Sequence, residues 1–385
     1  MDFELTNAQR NIKQRAAEFA DQEVAPGASE RDRGDEFPRG IFTKLADEGF
    51  MGLCVPEQYG GAGRDFLSYA LLIEELSRAD AGVGVTLAVH TSAGTLPILD
   101  HGTDEQKSRW IPPLARGEKL SCFCLTEPGA GSDAASIESR AEPVDGGYRL
   151  YGHKQWVTNG RVAQTAIVFA RAPEGVTAFI VPTDADGLTF GKHAEKLGVI
   201  SATTDDIHLD GVFVPEEDRL GPEGKGLRVA LSTLGGGRVG IAAQSVGIAE
   251  AALRYAVRYA SERETFGSRI GDHQAIAAKL ADMKTSLEAA RLLTYRAAWT
   301  KDSGELTASV GAQAKLFASR TANQVVFDAL QVLGGQGYMK DHPVERHYRD
   351  ARVTEIYEGT SEIQRLVIAR ELLNELQPAE RIAAH

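Results

Sequence analysis

Cysteine is scarce in this chain of 385 residues: Cys54, Cys122 and Cys124 make three, an odd count. That excludes a disulfide framework, and thiols in so large a chain read as buried and reduced, in a reducing compartment. Positive charge is also in deficit. Lys and Arg number 42 against 54 Asp and Glu, for a net charge of −12 and a pI of about 5.3. No basic surplus exists to neutralise phosphates, which excludes a nucleic-acid partner. An anionic ligand would have to be met by a few placed Arg or Lys side chains. No apolar run reads as long enough to cross a bilayer, so no membrane partner is expected. Met1-Asp2-Phe3-Glu4 lacks the basic start and apolar stretch of a signal peptide and is too acidic for a transit peptide. The expected location is therefore the cytoplasm, or the mitochondrial matrix for a processed eukaryotic chain. Walker loops, H-E-x-x-H and C-x-x-C are missing, so neither NTP chemistry nor a metal site is expected.

What is present is ordinary for a globular protein, 43% hydrophobic and 25% charged, in a chain long enough for two or three domains. Three textures follow one another. Residues 1–119 read as helices: a stretch through Ala17, Phe19 and Val24 to Pro26-Gly27, then Ile41 to Gly49, Phe66 to Leu76, Ala88 to Leu99 and Asp104 to Leu114. Near Ser121 short β-spaced runs begin: 122–125, 148–151 after the hairpin signal Asp145-Gly146-Gly147, then 166–169, 178–181 and 207–209. Residues 120–228 therefore predict a small antiparallel sandwich or barrel. From 229 to 385 the pattern returns to helix, with stretches at Val239 to Arg263, Ala275 to Lys301, Leu306 to Leu333 and Ser361 to Leu376. Four such helices with short links predict a bundle, and their alanines allow close approach. The fold class expected is α+β: helical domain, central β domain, four-helix bundle.

Gly235-Gly236-Gly237-Arg238-Val239-Gly240 matches G-x-G-x-x-G before a helix. A dinucleotide fingerprint also needs a preceding strand and a second strand with an acid about 20 residues on. Neither is found, and the dinucleotide reading is set aside.

Five segments carry residue types suited to chemistry. Ile356-Tyr357-Glu358-Gly359-Thr360-Ser361-Glu362 sets one acid on a loop before a helix, with Ser361 and Gln364 spaced as a capping box. A carboxylate there sits beside backbone N–H groups able to bind developing negative charge. The ordinary reading of such a residue is a solvated loop acid. Phe123-Cys124-Leu125-Thr126-Glu127-Pro128-Gly129-Ala130-Gly131-Ser132-Asp133 puts a strand end beside hydroxyls and open backbone, which suits the edge of a planar heterocycle. Trp156-Val157-Thr158-Asn159-Gly160 adds a flat aromatic and a hydroxyl. Arg263-Glu264-Thr265-Phe266-Gly267, with Gln274, offers a cation and an aromatic edge. Gln331-Val332-Leu333-Gly334-Gly335 offers bare backbone, although a Gly pair after a helix is usually a C-cap.

Taken together, in order and spacing, these five segments resemble the acyl-CoA dehydrogenase family over essentially the whole chain. The resemblance implies FAD, a homotetramer, and an electron-transfer flavoprotein as oxidant. It implies that Glu358 removes the α-proton of an acyl thioester while the β-hydrogen leaves as hydride to flavin N5. The thioester oxygen would be held by the Glu358 backbone N–H and a flavin ribityl hydroxyl. A carboxylate buried there should have a raised pKa, suited to taking a proton near neutrality. Phe123, Leu125 and Thr126 match the flavin-edge segment, Thr158 the hydroxyl at N5, and Trp156 the aromatic against the ring. Ser132 matches a contact to the CoA portion. Arg263, Phe266, Gln274, Gln331, Leu333, Gly334 and Gly335 match groups that hold FAD across a subunit boundary. Thr360, Ser361 and Glu362 would lie by the cofactor. Tyr357 and Gly359 would touch substrate, and Arg238 matches a substrate-side arginine.

Two departures fall on the thioester's handle. Gly235 stands where many members carry an aspartate for the CoA arm, and Ile200 where an arginine is common. Gly237 occupies the position from which isovaleryl members supply their base; a glycine cannot, so the base is expected at Glu358. The product expected is a trans-2-enoyl thioester from a short- to medium-chain acyl-CoA, and residues 331–376 look closest to the short-chain, butyryl-type branch. Val85, Thr86 and Val89 are candidates for the pocket floor. The alternatives are a flavin monooxygenase or nitroalkane-oxidase-like enzyme on the same fold, or a non-catalytic FAD-binding protein. Glu358 speaks against both.

Overall fold

The computed structural model describes residues 4–34 and 36–376. The first helix, Asn7–Phe19, opens on a capping box in which Thr6 Oγ1 accepts from Gln9 N at 3.2 Å and the Gln9 side chain accepts from Thr6 N at 2.9 Å. It runs on as a wider turn over Ala20–Val24. Arg39–Asp47, Phe66–Ala79 and Asp104–Ala115 follow near their expected positions. The helix expected from Ala88 instead begins at Ala81, continuing through Val89–Thr95 to His101. Gly82 and Gly84, in the added turns, are close-approach points. A Cβ on Gly82 would lie 2.8 Å from Ala202 N, and one on Gly84 would meet the Ser77 side chain. This stretch also corrects the membrane argument. Ala81–His101 is long and apolar enough to cross a bilayer by composition, yet 94% of its most apolar 18-residue window is buried, in the core of the helical domain.

The middle of the chain is one eight-stranded sheet. Its strands are β1 (Ser121–Cys124), β2 (Arg140–Val144), β3 (Gly147–Thr158), β4 (Thr165–Ala172), β5 (Gly175–Pro182), β6 (Leu188–His193), β7 (Thr204–Pro215) and β8 (Arg219–Leu220). The order is β6-β7-β3-β2-β4-β5-β8, with β1 attached to β4. Most pairs are antiparallel, but β1 and β2 each run parallel to β4. The β2–β3 hairpin closes with Val144 opposite Gly147, over Asp145 and the left-handed Gly146 (φ 76°).

The third part is built on a helix longer than its sequence pattern: Gly226–Glu262, 37 residues, running straight through Gly235-Gly236-Gly237. Three glycines in a row cost helix propensity, and packing decides against that preference. Gly247 lies so close to the helix Phe66–Ala79 that a Cβ would come within 2.3 Å of Glu74 O, and Gly240 faces the Tyr69 hydroxyl. Gln274–Asp302, Ala308–Leu333 and Ser361–Leu376 complete the bundle, and a short helix absent from the sequence reading, Val344–Val353, packs against it. Asp302 reaches across to the helical domain, its carboxylate accepting from Phe66 N at 2.6 Å and Leu67 N at 3.2 Å.

Gly247→Ala is expected to destabilise the protein by about 1–3 kcal/mol through overpacking, seen as a lowered thermal midpoint. Gly40→Ala, in the helix Arg39–Asp47 with nothing within 4 Å, should leave the midpoint level or slightly raised. Equal midpoints for the two variants would contradict the close-packed seam.

Candidate active site

Three elements from different parts of the chain converge on one cavity of about 350 Å³. The first is the end of β1 with the loop that follows. Phe123, Leu125, Thr126 and Ser132 line one wall. This loop is fixed to β3 by Gln155 N donating to Thr126 O at 2.9 Å and by a fully buried ion pair, Lys154 Nζ to Glu127 Oε1 at 2.6 Å. Glu127 also accepts from Glu138 N at 2.5 Å and Ser139 N at 3.1 Å. With its lone pairs taken by donors and a cation, its carboxyl stays below the usual carboxylate range despite burial.

The second element is the end of β3. Its register against β7 shifts between Lys154 and Val157, so that Gln155 and Trp156 oppose one residue of the partner strand. The bulge turns Trp156 outward at φ 57°, leaving its ring 63% exposed at the cavity edge, with Thr158 beside it. Asn159, also left-handed (φ 67°), is buried and donates to Thr86 O at 3.0 Å and Ser121 O at 3.2 Å, which ties the strand end to the helical domain.

The third element is the bundle. Leu234, Arg238 and Ile241 face the cavity from the long helix, and Tyr357, Glu358 and Gly359 face it from the loop before Ser361. The Glu358 carboxylate packs on the bare backbone of Gly237, where a Cβ would lie 2.6 Å from Oε2 and 3.1 Å from Cδ. Oε2 is buried and makes no hydrogen bond among the described residues. Burial raises the Glu358 pKa, opposed by the charges of Arg238 and Lys315. Arg238 is itself buried, with one long bond to Ala308 O at 3.4 Å, and burial lowers its pKa. The loop is strained to reach this position: Glu358 has φ 53° and Gly359 φ 90°. A left-handed non-glycine residue costs about 1–3 kcal/mol and persists where its surroundings hold it.

The inner end of the cavity is apolar, formed by Val85, Val89, Ala93 and Ile241 with Phe123 and Tyr357 against them. The Tyr357 hydroxyl donates to Gln244 Oε1, and Gln244 donates to Ala81 O at 2.9 Å, which closes the floor. Thr86, expected at the floor, is buried but does not line the cavity.

Other expected residues lie elsewhere. Gly235 sits at the seam where Gly311 approaches its carbonyl, while Leu234 and Arg238 reach the cavity on either side of it. Thr360, Ser361 and Glu362 lead from the Glu358 loop into the helix Ser361–Leu376 and do not line the cavity. Arg263 and Phe266 belong to a surface hairpin, with Phe266 99% exposed, and Gln274 opens the next helix. Gln331, Gly334 and Gly335 are exposed at the end of Ala308–Leu333, and Leu333 is buried in the core, so it can offer a ligand its backbone alone. Within a single chain neither of these last two groups touches the cavity.

The cap expected at Ser361 is one residue earlier. Thr360 Oγ1 accepts from Ile363 N at 3.3 Å. Gln364, freed from a capping role, turns back to donate to Glu358 O at 3.0 Å and Gly359 O at 2.8 Å. Lys315, unnoticed in the sequence, donates to Gly359 O at 2.7 Å. A signal existed: Lys315 shares a helix face with Ala312, Ala318 and Ser319, all small and buried. Lys154 likewise falls on the inward side of β3 with Leu150.

A helical domain, a sheet and a bundle close on one carboxylate, held by strained backbone, over a cavity whose inner end is apolar. Comparison with known proteins names the family. The acyl-CoA dehydrogenase N-terminal domain matches residues 6–118, the middle domain 122–212 and the C-terminal domain 224–373. An acyl-CoA dehydrogenase of Bacillus subtilis is 49% identical over 96% of this chain and 99% of its own. The mitochondrial short-chain specific acyl-CoA dehydrogenase of Bos taurus is 44% identical over 96% of this chain and 91% of its own. The butyryl-CoA dehydrogenase of Megasphaera elsdenii superposes with a TM-score of 0.95 at 43% identity, covering 97% of this chain and 100% of that one. A chain in the structure of the electron transferring flavoprotein of Acidaminococcus fermentans gives 0.96 at 45% identity, covering 97% and 100%. An acyl-CoA dehydrogenase complexed with FAD from Bacillus anthracis gives 0.93 at 33%, covering 98% of this chain and 68% of that one. The chain belongs to the acyl-CoA dehydrogenase family.

Gly237→Ala isolates the carboxylate seat. Alanine favours the helix by about 1 kcal/mol, so stability should hold or rise. The displaced carboxylate should cost turnover about ten- to a hundredfold. Steady-state kinetics beside thermal unfolding checks this, and an unimpaired rate would contradict the seat.

Proposed function

We propose that this chain oxidises a short, straight-chain acyl thioester across its α and β carbons to the trans-2-enoyl product, with Glu358 as the base. The observation that carries this is the Glu358 carboxylate: it lines a cavity with an apolar inner end, and its Oε2 is buried without a hydrogen-bond partner among the described residues. Burial raises its affinity for a proton, and the charges of Arg238 and Lys315 oppose that rise. A base tuned upward from an ordinary carboxylate takes a carbon-bound proton more readily near neutral pH. The Glu358 N–H makes no hydrogen bond among the described residues and is free to donate to a thioester oxygen. That donation stabilises the enolate-like charge as the α-proton leaves.

FAD fits the remaining wall. The exposed Trp156 ring, the hydroxyls of Thr126 and Thr158, and the open edge at Phe123 and Leu125 offer a flat surface with hydrogen-bonding groups along one side. FAD bound there supplies the acceptor for the β-hydride. Ser132, Tyr357, Gly359 and Arg238 would meet the substrate. Arg263, Phe266, Gln274, Gln331, Gly334, Gly335 and the backbone of Leu333 would hold FAD from a neighbouring subunit, with Thr360, Ser361 and Glu362 nearby. A homotetramer accounts for their exposure, and for the wide groove of about 1110 Å³ walled by Leu316, Phe317, Phe327 and Tyr348.

The short-chain preference rests on the floor. Val85, Val89 and Ile241 are branched and tightly packed, and the Tyr357–Gln244 bond blocks the continuation of the cavity. Gly235 and Ile200 leave the CoA arm without two of the family's polar contacts. An electron-transfer flavoprotein as oxidant, and a cytoplasmic location (or the mitochondrial matrix in a processed form), complete this reading.

Glu358→Gln should lower the rate of acyl-CoA oxidation by about 10²–10⁴-fold with FAD content unchanged, since the residue is not placed to hold the cofactor. Stopped-flow flavin reduction measures it. An undiminished rate would remove Glu358 from the role.

A further inference from the structure

The base loop is held from behind by two fully buried polar side chains that the family reading does not use. Consecutive left-handed residues, Glu358 and Gly359, turn both their carbonyls inward. Gln364 Nε2 takes both oxygens, and Lys315 Nζ takes that of Gly359. Neither side chain is exposed at all. Gly359 is required here on two counts: its φ of 90°, and the 2.7 Å that would separate a Cβ from Gln364 Nε2. A buried lysine needs compensation, yet among the described residues Lys315 hydrogen-bonds to a carbonyl alone, and the opposite charge acting on it most strongly is that of Glu358. A neutral donor would satisfy that carbonyl equally well. The charge therefore calls for its own explanation.

We infer that Lys315 and Gln364 are positioning residues for Glu358, with divided labour: Gln364 fixes the strained loop so that the carboxylate rests on Gly237 with its N–H free, and the Lys315 ammonium keeps that carboxylate ionised. The inference rests on Glu358 as the base. The groups facing Glu358 are few. Arg238 acts from the long helix and Lys315 from Ala308–Leu333. Tyr69, on Phe66–Ala79, and the neighbouring Tyr357 are both held neutral by burial. Glu355 and Glu362 act on Lys315 from the same segment as the base. Burial lowers the Lys315 pKa to about 8, so it remains charged at neutral pH. The sign follows: removing this cation leaves Arg238 alone against desolvation, and Glu358 then ionises at a higher pH.

Two variants separate the roles in the full-length, FAD-loaded protein, with butyryl-CoA and an artificial electron acceptor. Lys315→Gln retains a donor for Gly359 O and removes the charge. The acid limb of its kcat/KM profile should move up by about one pH unit, so that a loss of about tenfold at low pH is recovered in alkali. Gln364→Leu keeps the charge and frees both carbonyls. Its kcat should fall about ten- to a hundredfold at every pH, with the acid limb unmoved. Should Gln364→Leu fail to fold, Gln364→Met offers the same test with less change of shape. An acid limb in Lys315→Gln that superimposes on the parent's would overturn the electrostatic role, and full turnover in Gln364→Leu the positioning role. The parent's own turnover in this assay keeps the base assignment a separate matter: if the parent does not oxidise the thioester, that assignment fails first.

Discussion

The contact between the Glu358 carboxylate and the bare backbone of Gly237 sets the terms for everything around it. For the proposed role of Glu358 as a base, the carboxylate must be reactive, which requires burial without a strong hydrogen bond, and it must be fixed, which ordinarily requires one. The structure satisfies both demands by moving the constraint one atom group away. Carboxylate Oε2 has no hydrogen-bond partner among the described residues, while the carbonyls of its own residue and the next are bound by Gln364 and Lys315. Left-handed backbone at Glu358 is the consequence, and the glycine at 359 makes the turn affordable.

Glycine plays the same part on a larger scale along the central helix. Gly237 admits the base, Gly240 admits Tyr69, and Gly247 brings the helix against the backbone of Phe66–Ala79. These approaches draw the helical domain and the bundle close enough for Val85, Val89 and Ile241 to share one apolar floor. The sheet then adds its own wall, through the bulge that turns Trp156 outward and the Lys154–Glu127 pair that pins the loop after β1. Each wall comes from a different part of the chain, so the cavity exists only when all three are docked.

Much of this was legible in the sequence, because helix and strand periodicities differ and the change of texture near residues 120 and 229 is sharp. Glu358 was legible as a candidate through the residues around it, and the structure sets it at the cavity. What could not be read was contact across sequence distance. The helices expected from Ala88 and Val239 begin earlier, at Ala81 and Gly226, since the neighbours that Gly82, Gly84 and Gly236-Gly237 approach lie elsewhere in the chain. Ser361 and Gln364 read as a capping box because the spacing is right. Thr360 won the cap, and Gln364 was drawn to carbonyls that periodicity does not reveal. The role of Arg263, Phe266 and the 331–335 run in holding a cofactor came from family resemblance, and a single chain leaves Arg263, Phe266, Gln331, Gly334 and Gly335 on its surface.

The most direct test of the account is the visible spectrum of the purified protein during anaerobic titration with butyryl-CoA. Bleaching of the oxidised flavin bands in proportion to added thioester is the expected result; it reports FAD, thioester recognition and α,β-dehydrogenation together. A yellow protein whose bands persist with every short acyl-CoA would contradict it, and would turn attention to Gly235 and Ile200 as signs of a different substrate.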